Sequence, residues 1–446
     1  MHPIEKVWND NLCTGCGTCA GICGFDAVKM VRTTNGLFKP VVDSSKCNDC
    51  SLCIESCPGH SVDFVKLNEF VFNDMPEDSF LGYLGNCYLG HCTDKEIRWK
   101  AASGGIVTGL LVFMLEEKII DGALVIRMKE NNPLEPEPFI ARTREEIIAA
   151  ATSKYCPVPA NIALKEILES KDEERFAVVG LPCHIHGIRK AEMIDEKLKE
   201  KIVLHIGIVC SHPVSFLGTE FLLQKYGIKK EAVKHLKYRG EGWPGGMSIE
   251  LKNGGKIFYP YGEYWRLFSL HFFAPTRCMI CCDGANELAD ISCCDAWLPE
   301  LGEDKIGESI ILSRNDTGER ILETAQSKRG MHLSPIDSGK VLQAQYSELF
   351  FKKDGLKPRY NVLKTLGKKM PSYTNPNTPQ KKAKSSILGW ATILYYVNAW
   401  LTSKPYLYKL IQLMPLFLIE GTLSVAVRIR RLLLKSISSN KGGLNL

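Results

Sequence analysis

Eight cysteines in the first sixty residues constrain this chain more than any other feature. "CTGCGTCAGIC" holds Cys13, Cys16, Cys19 and Cys23, and "CNDCSLCIESC" holds Cys47, Cys50, Cys53 and Cys57, each 34 residues after its counterpart. One small unit is used twice. The whole chain has 446 residues and 18 cysteines. A secreted disulfide protein fits poorly, because the chain is long and its start, "MHPIEKVWND", places acids and a proline where an apolar signal core would lie. The expected compartment is therefore the reducing cytoplasm, where clustered cysteines more often bind metal than pair with each other.

C-x2-C-x2-C-x3-C is the spacing of a two-cluster bacterial ferredoxin. A cubane needs four soft thiolates around one centre. Three come from one tight loop and the fourth from the other half. Cys13, Cys16, Cys19 and Cys57 are thus expected to hold one [4Fe–4S] cluster, and Cys47, Cys50, Cys53 and Cys23 the other. Gly15, Gly17 and Gly21 let the backbone approach the sulfides. Pro58 follows Cys57 as the signature asks, while Gly24 stands where it would put a second proline. Zinc wants four ligands per site, whereas these eight fall into two interlocked quartets. Residues 1–66 are expected to be an α+β ferredoxin-like unit that carries electrons singly, with 61–80 running on as a connector.

An α/β pattern follows. "SGGIVTGLLVFMLEEK" reads as a helix with Ser103 as N-cap. "GALVIRM", "RFAVVG" and "KIVLHIGIVC" read as strands, and "REEIIAAATSKY", "NIALKEILES" and "PVSFLGTEFLLQKYG" as helices, the last starting at Pro213. A hairpin is expected from Met247 to Tyr259, turning at "NGG". Alternating strands and helices predict a mixed sheet. Two loops after strands carry Cys183 and Cys210, and ligands favour the carboxyl ends of strands in such sheets. The pair Cys278-x2-Cys281 can grip one metal centre. A third [4Fe–4S] cluster on Cys183, Cys210, Cys278 and Cys281 is the expectation, with Cys293 and Cys294 as competing ligands. Cys87, Cys92 and Cys156 receive no role. His184, His186, His205 and His212 read as satisfied structural histidines.

The segments "IRWKAASGGIVTGLL", "SKYCPVPAN", "VVGLPCHIHGIRK", "IGIVCSH", "YRGEGWPGG" and "RCMICCDGANELADISCCDAW" resemble the coenzyme F420 hydrogenase/dehydrogenase beta subunits, over roughly residues 10–350. The resemblance implies a ferredoxin domain fused to a two-part flavin-binding α/β unit (80–170 and 171–350), FAD, an internal [4Fe–4S] cluster, and a deazaflavin or related hydride carrier as substrate. Family members usually have an aromatic or branched residue and then glycine before "DAW"; Cys293 and Cys294 stand there instead. A flavin diphosphate needs N–H donors and positive charge. Ser103, Gly104 and Gly105 at a helix start, Thr108 one turn on, and Lys154 are the candidates the resemblance selects. Arg239 and the turn "GEGWPGG" line either the flavin or the hydride donor, or form a plain turn around a packed Trp243. No side-chain acid or base is required, and no catalytic residue is named.

The net charge of +6 is uneven, because residues 380–446 carry ten Lys/Arg and one acid, Glu420, leaving a mildly acidic body. The body has no basic stripe with interleaved aromatics, which argues against nucleic-acid binding. The segment 385–403 is 19 residues without a charge, close to a bilayer span, but holds Asn398 and five Ser/Thr hydroxyls. Trp390, Tyr395, Tyr396 and Trp400 suit an interface, and Arg428, Arg430, Arg431 and Lys435 suit anionic headgroups. The basic amphipathic tail at 380–446 is expected to lie on the cytoplasmic membrane face or against a partner subunit through 385–435, in preference to spanning a membrane or capping its own core. The function expected is an iron–sulfur flavoprotein oxidoreductase, passing electrons in either direction between a hydride carrier, coenzyme F420 or similar, and a protein or small-molecule partner through FAD and the [4Fe–4S] clusters. The alternatives are a reductase of another small molecule and a non-catalytic electron-carrier subunit.

Overall fold

A computed structural model describes residues 1–374 and 387–413. In the amino-terminal unit the ribbon β1 (Val28–Arg32) and β2 (Phe38–Val42) pairs antiparallel. Each cysteine loop ends in a one-turn helix, Thr18–Gly21 and Leu52–Glu55. Both turns start from a residue in the left-handed region, Gly17 at φ 87° and Ser51 at φ 64°. The stretch 61–80 differs from a connector: β3 (Ser61–Asp63) leads into the helix Phe64–Phe72, capped by Asp63, and pairs in parallel with β15 (Ser372–Thr374). Propensity over so short a stretch is overridden by Phe64 and Leu67, which bury against the main body.

The body is built on one eight-stranded mixed sheet. Its strands are β4 (Cys87–Cys92), β5 (Gly122–Met128), β6 (Pro136–Ala141), β7 (Phe176–Gly180), β8 (Ile202–Ile208), β12 (Ile291–Asp295), β13 (Ser309–Ser313) and β14 (Met331–Pro335), in the spatial order β14-β4-β13-β12-β8-β7-β5-β6. β5, β7, β8 and β12 run parallel in adjacent positions, and β6, β13 and β14 run against their neighbours. The parallel strands read as apolar runs because both faces are covered. A smaller antiparallel sheet of β9 (Val233–Lys237), β10 (Gly246–Leu251) and β11 (Lys256–Pro260) carries the hairpin expected at "NGG".

Several local expectations are corrected by packing. The helix after "SGG" runs Ile106–Glu116 with Gly105, not Ser103, at its N-cap, at φ 74°. "REEIIAAATSKY" is helical only over Arg144–Ala149. The helix placed at Pro213 begins at Phe216. "LPCHIHG" is not a loop: Pro182 occupies the first position of the helix Pro182–Glu192, where its missing N–H costs nothing.

The carboxyl-terminal segment docks on the body. The helix Ile387–Thr402 packs along the helix Leu356–Thr365 and the turn Thr276–Ile280. Asn398 Nδ2 donates to Leu270 O at 2.9 Å, Phe273 N donates to Thr402 Oγ1 at 2.7 Å, and Tyr395 stacks on His271. The helix Pro405–Leu413 follows, with Lys225 Nζ donating to Gln412 O. No helix among the described residues is long and apolar enough to cross a membrane. Over 387–413 the tail thus packs on the body of its own chain, the arrangement the sequence reading placed behind membrane or partner contact. Its polar groups find backbone partners there, and uncharged sequence alone could not reveal them. The outer side keeps Leu394, Val397, Trp400, Leu410 and Leu413 exposed. The basic stretch with Arg428, Arg430, Arg431 and Lys435 lies outside the described residues.

Candidate functional site

The eight amino-terminal cysteines gather into the two sets expected from their spacing. Cys13 is pushed up by burial and by Cys57 and Cys16, and Cys19 by burial, Cys16, Cys57, Cys13 and Cys53. Cys53 is raised to about 11 by burial and by Cys50, Cys23 and Cys47. Cys23, Cys47, Cys50 and Cys53 line one cavity with His2, Phe25 and Leu52. Cys50 is exposed, so this set lies at the surface, whereas Cys16, Cys19 and Cys57 are buried. Gly15 N points to Cys13 Sγ at 3.4 Å and Asp49 N to Cys47 Sγ at 3.5 Å, the amide-to-sulfur geometry that small loop residues permit. His2 Nε2 stands 3.6 Å from Cys47 Sγ, and His2, Cys47 and Asp49 bring three ligand atoms together beside that cavity.

A further set forms at the carboxyl ends of β7 and β8. Cys183 lies in the first turn after β7 and Cys210 just beyond β8, with Cys210 N donating to Gly284 O at 2.9 Å. Asn286 Nδ2 ties these two strand ends together, donating to Gly180 O at 2.8 Å and Ile208 O at 3.2 Å. Asp283 fixes that loop: its carboxylate accepts from Asn286 N, Glu287 N and His186 Nε2. Cys183 is pushed well up by burial and then by Cys16, Cys210, Cys278 and Cys281. All four expected members are therefore neighbours, and Cys16 of the amino-terminal unit adjoins them. Cys293 and Cys294, the competing candidates, lie inside β12 on opposite faces of the sheet. Neither is an electrostatic neighbour of Cys183, Cys210 or Cys278.

Three buried cations surround this third set. Lys352 is 2% exposed and its Nζ donates to Cys278 O at 3.1 Å. Arg277 donates from Nε to Leu12 O at 2.8 Å and from Nη2 to Tyr373 OH at 2.6 Å, and Arg359 donates from Nε to Met279 O at 2.8 Å. One guanidinium nitrogen of each arginine, Nη1, has no partner. Among the described residues no carboxylate pairs with any of the three. Burial lowers Arg359 to about 9, although Tyr360 and Cys281 oppose the shift. Burial would also lower Lys352, but Cys281, Cys278 and Cys210 outweigh it and raise it. Buried charges without partners are costly, and an anion held among the thiols would offset that cost. Neither the cysteine spacing nor the strand pattern pointed to these cations; only a lysine and two arginines in otherwise apolar surroundings could have done so.

Ser103 and Gly104, selected for a flavin, lie where β13 begins at Ser309, opposite Asp295 at the carboxyl end of β12, and Arg239 reaches the same Asp295. No side chain caps the helix Ile106–Glu116, so the first-turn amides of Ile106, Val107 and Thr108 lack intrahelical partners. Ser103 Oγ is 2.8 Å from Ser309 Oγ, and Gly104 N donates to Ser309 Oγ at 3.0 Å. Gly104 has no room for a side chain, because a Cβ would lie 2.5 Å from Gly90 O. The two expected cations are engaged elsewhere. Lys154 Nζ donates to the carbonyls of Ala150, Ala151 and Thr152. Arg239 is buried, pairs with Asp295 Oδ2 at 2.9 Å, donates to Tyr155 OH and Ala102 O, and lies over Tyr261 and Trp243. Arg239 is charge-paired with Asp295, whereas Lys154 has no acidic partner among the described residues and directs its donors at carbonyls. The turn with Trp243 is packed rather than superficial, its indole 4.5 Å from that of Trp297.

Comparison with known proteins places this arrangement. Residues 87–165 and 173–339 match the amino- and carboxyl-terminal models of the coenzyme F420 hydrogenase/dehydrogenase beta subunit, and residues 12–60 match a 4Fe–4S dicluster domain. A coenzyme F420 hydrogenase subunit beta from Methanothermobacter thermautotrophicus is 32% identical over 267 residues, 58% of this chain and 88% of the relative. The chain belongs to the family of coenzyme F420 hydrogenase/dehydrogenase beta subunits. One of the subunits of the F(420)H(2) dehydrogenase of Methanosarcina mazei is 26% identical, over 74% of this chain and 86% of that one. A chain in a solved structure of the F420-reducing [NiFe] hydrogenase complex from Methanosarcina barkeri superposes with a TM-score of 0.53 at 26% identity, covering 68% of this chain and 99% of that chain.

Proposed function

We propose that this protein is the electron-entry subunit of an oxidoreductase, exchanging electrons between coenzyme F420 or a similar hydride carrier and a redox partner protein. The observation that carries the reading is the succession of three cysteine quartets. Cys183, Cys210, Cys278 and Cys281 lie at the carboxyl ends of the central strands β7 and β8; Cys16 adjoins them within the quartet Cys13, Cys16, Cys19 and Cys57; Cys53 adjoins that quartet within Cys23, Cys47, Cys50 and Cys53 at the surface. Each is read as the ligand set of one [4Fe–4S] cluster. Thiols pushed up by burial and by each other, a cysteine-lined cavity, and unpaired buried cations all fit such a resident anion.

When bound, the clusters supply one-electron steps and FAD supplies the exchange between a hydride and single electrons. The protein's own residues hold and seal. The free amides after Gly105, with Ser103, Gly104 and Thr108, make the seat for the flavin phosphates. Arg239 and Lys154 shape the neighbouring wall rather than neutralise the phosphate. The strap Ile387–Thr402 and the helix Leu356–Thr365 keep water from the Cys278–Cys281 turn. Phe25 and Leu52, 52% and 36% exposed beside exposed Cys50, mark where a partner meets the outermost quartet. The divisions 1–66, 80–170 and 171–350 follow these roles.

Anaerobic purification with iron, sulfide and flavin counts tests the reading. About twelve irons and one FAD per chain are expected from three cubanes and the flavin. Reduced coenzyme F420 should bleach the flavin absorbance. A preparation with full iron and no flavin would leave only an electron carrier.

A further inference from the structure

We propose that Lys352, Arg277 and Arg359 form a cationic shell that sets the reduction potential of the Cys183/Cys210/Cys278/Cys281 cluster, with Arg277 shared between that cluster and the Cys13 quartet. The inference rests on reading this quartet as a cluster. The geometry is specific to these three residues. Lys352 is held at the carbonyl of a ligand cysteine, Cys278, and is 2% exposed. Arg277 immediately precedes Cys278 and reaches across to Leu12 O, next to Cys13, so one guanidinium spans the junction of the two quartets. Arg359 grips the same turn through Met279 O, its guanidinium 3.7 Å over the Phe351 ring.

Of the other buried cations of the body, Lys353 pairs with Glu287, Arg189 with Glu192 and Asp290, and Arg239 with Asp295, while Arg314 and Lys201 spend their donors on carbonyl and hydroxyl oxygens. The three beside the cluster have no carboxylate among the described residues, and Arg277 and Arg359 each keep one guanidinium nitrogen without a partner. Reduction adds one negative charge to a buried cluster, and a fixed positive charge in a low-dielectric surround stabilises the reduced form more than the oxidised one. The shell would therefore hold the innermost cluster, when bound, at a more positive potential than it would have without these charges. Arg277, facing both quartets, would raise both. These are positioning residues: none touches the hydride carrier.

The test is a potentiometric titration of the anaerobic full-length protein, followed by electron paramagnetic resonance, with iron counted on each sample. Lys352→Met should keep the iron count. It should shift one cluster midpoint to more negative potential by at least a tenfold change in the oxidised-to-reduced ratio, about 59 mV for one electron. Lys352→Arg should restore it. Arg277→Gln should shift two signals, those of the inner and middle clusters. Full iron with midpoints unchanged in Lys352→Met and Arg277→Gln overturns the inference. If Lys352→Met does not fold, Arg359→Met and Arg277→Gln carry the same comparison. A wild-type protein with about eight irons and no third signal refutes the cluster reading instead.

Discussion

Gly21 has room for a hydrogen and nothing more: a Cβ there would lie 1.9 Å from Asn161 O. Asn161 is buried and joins the two units, its N donating to Cys16 O at 2.9 Å and its Nδ2 to Thr18 Oγ1 at 2.8 Å and His184 O at 2.9 Å. Gly21→Ala should therefore cost about 1–3 kcal/mol, because overpacking against backbone cannot relax through a side chain; chemical denaturation measures it. Cys281→Ser should lower the iron count by about four per chain while the amino-terminal clusters remain, since their ligands come from another segment. A drop to about four irons in total would contradict the quartets as drawn. A pH effect follows from the buried group of Arg189, Glu192, His205 and Asp290. Burial and Arg189 act to lower His205, but Glu192 and Asp290 outweigh them and raise it; Asp290 is held far below the carboxylate range by Arg189 and His205 despite its burial. The aspartate contribution is complete above about pH 3.9 and is lost as pH falls. The histidine contribution is complete below about pH 6.5 and is lost as pH rises through its raised folded value. Stability should thus decline on the alkaline side, and His205→Gln should remove that decline in a pH series of denaturant midpoints. The match to a 4Fe–4S dicluster domain over residues 12–60 was legible because the cysteine spacing is a local pattern, three to a loop. Lys352 and Arg359 were not, because a lone basic residue in a sequence reads as surface until its surroundings are known.

At the scale of elements, the strap Ile387–Thr402 shows what periodicity leaves out. Its uncharged run reads equally as membrane, partner or core helix. In the fold, Ala399 and Thr402 are buried and the helix lies over Phe351, Met279 and the Cys278 turn. A chain ending at Thr374 should lose cluster absorbance in air several-fold faster than the full chain, with the loss confined to the third cluster. Equal bleaching rates would show that the strap shields nothing. Strands with continuous apolar runs, β5, β7 and β8, were legible because burial on both faces leaves a one-dimensional signature. The helix Pro182–Glu192 was not, since "LPCHIHG" carries two histidines that look like loop residues until Asp283 and Val158 O satisfy them.

At the scale of the molecule, the quartets run from the carboxyl ends of the central strands β7 and β8 to the surface beside Phe25 and Leu52. The tail adds a separable property. Leu394, Val397, Trp400, Leu410 and Leu413 are exposed, and the sequence after 413 holds Arg428, Arg430, Arg431 and Lys435. The full chain should sediment with anionic liposomes and a chain ending near Gln380 should not; equal partitioning of the two would remove a lipid role from the tail.

The sequence by itself determined two interlocked thiolate quartets and a mixed α/β body, because ligand spacing and apolar runs are short-range patterns. Only the tertiary structure decided which distant cysteines meet. Cys183, Cys210, Cys278 and Cys281 converge because parallel strands align their carboxyl ends, and Cys293 and Cys294 diverge because adjacent strand residues face opposite sides. The cationic surround was decided the same way, since charges brought together by packing leave no periodic trace along the chain.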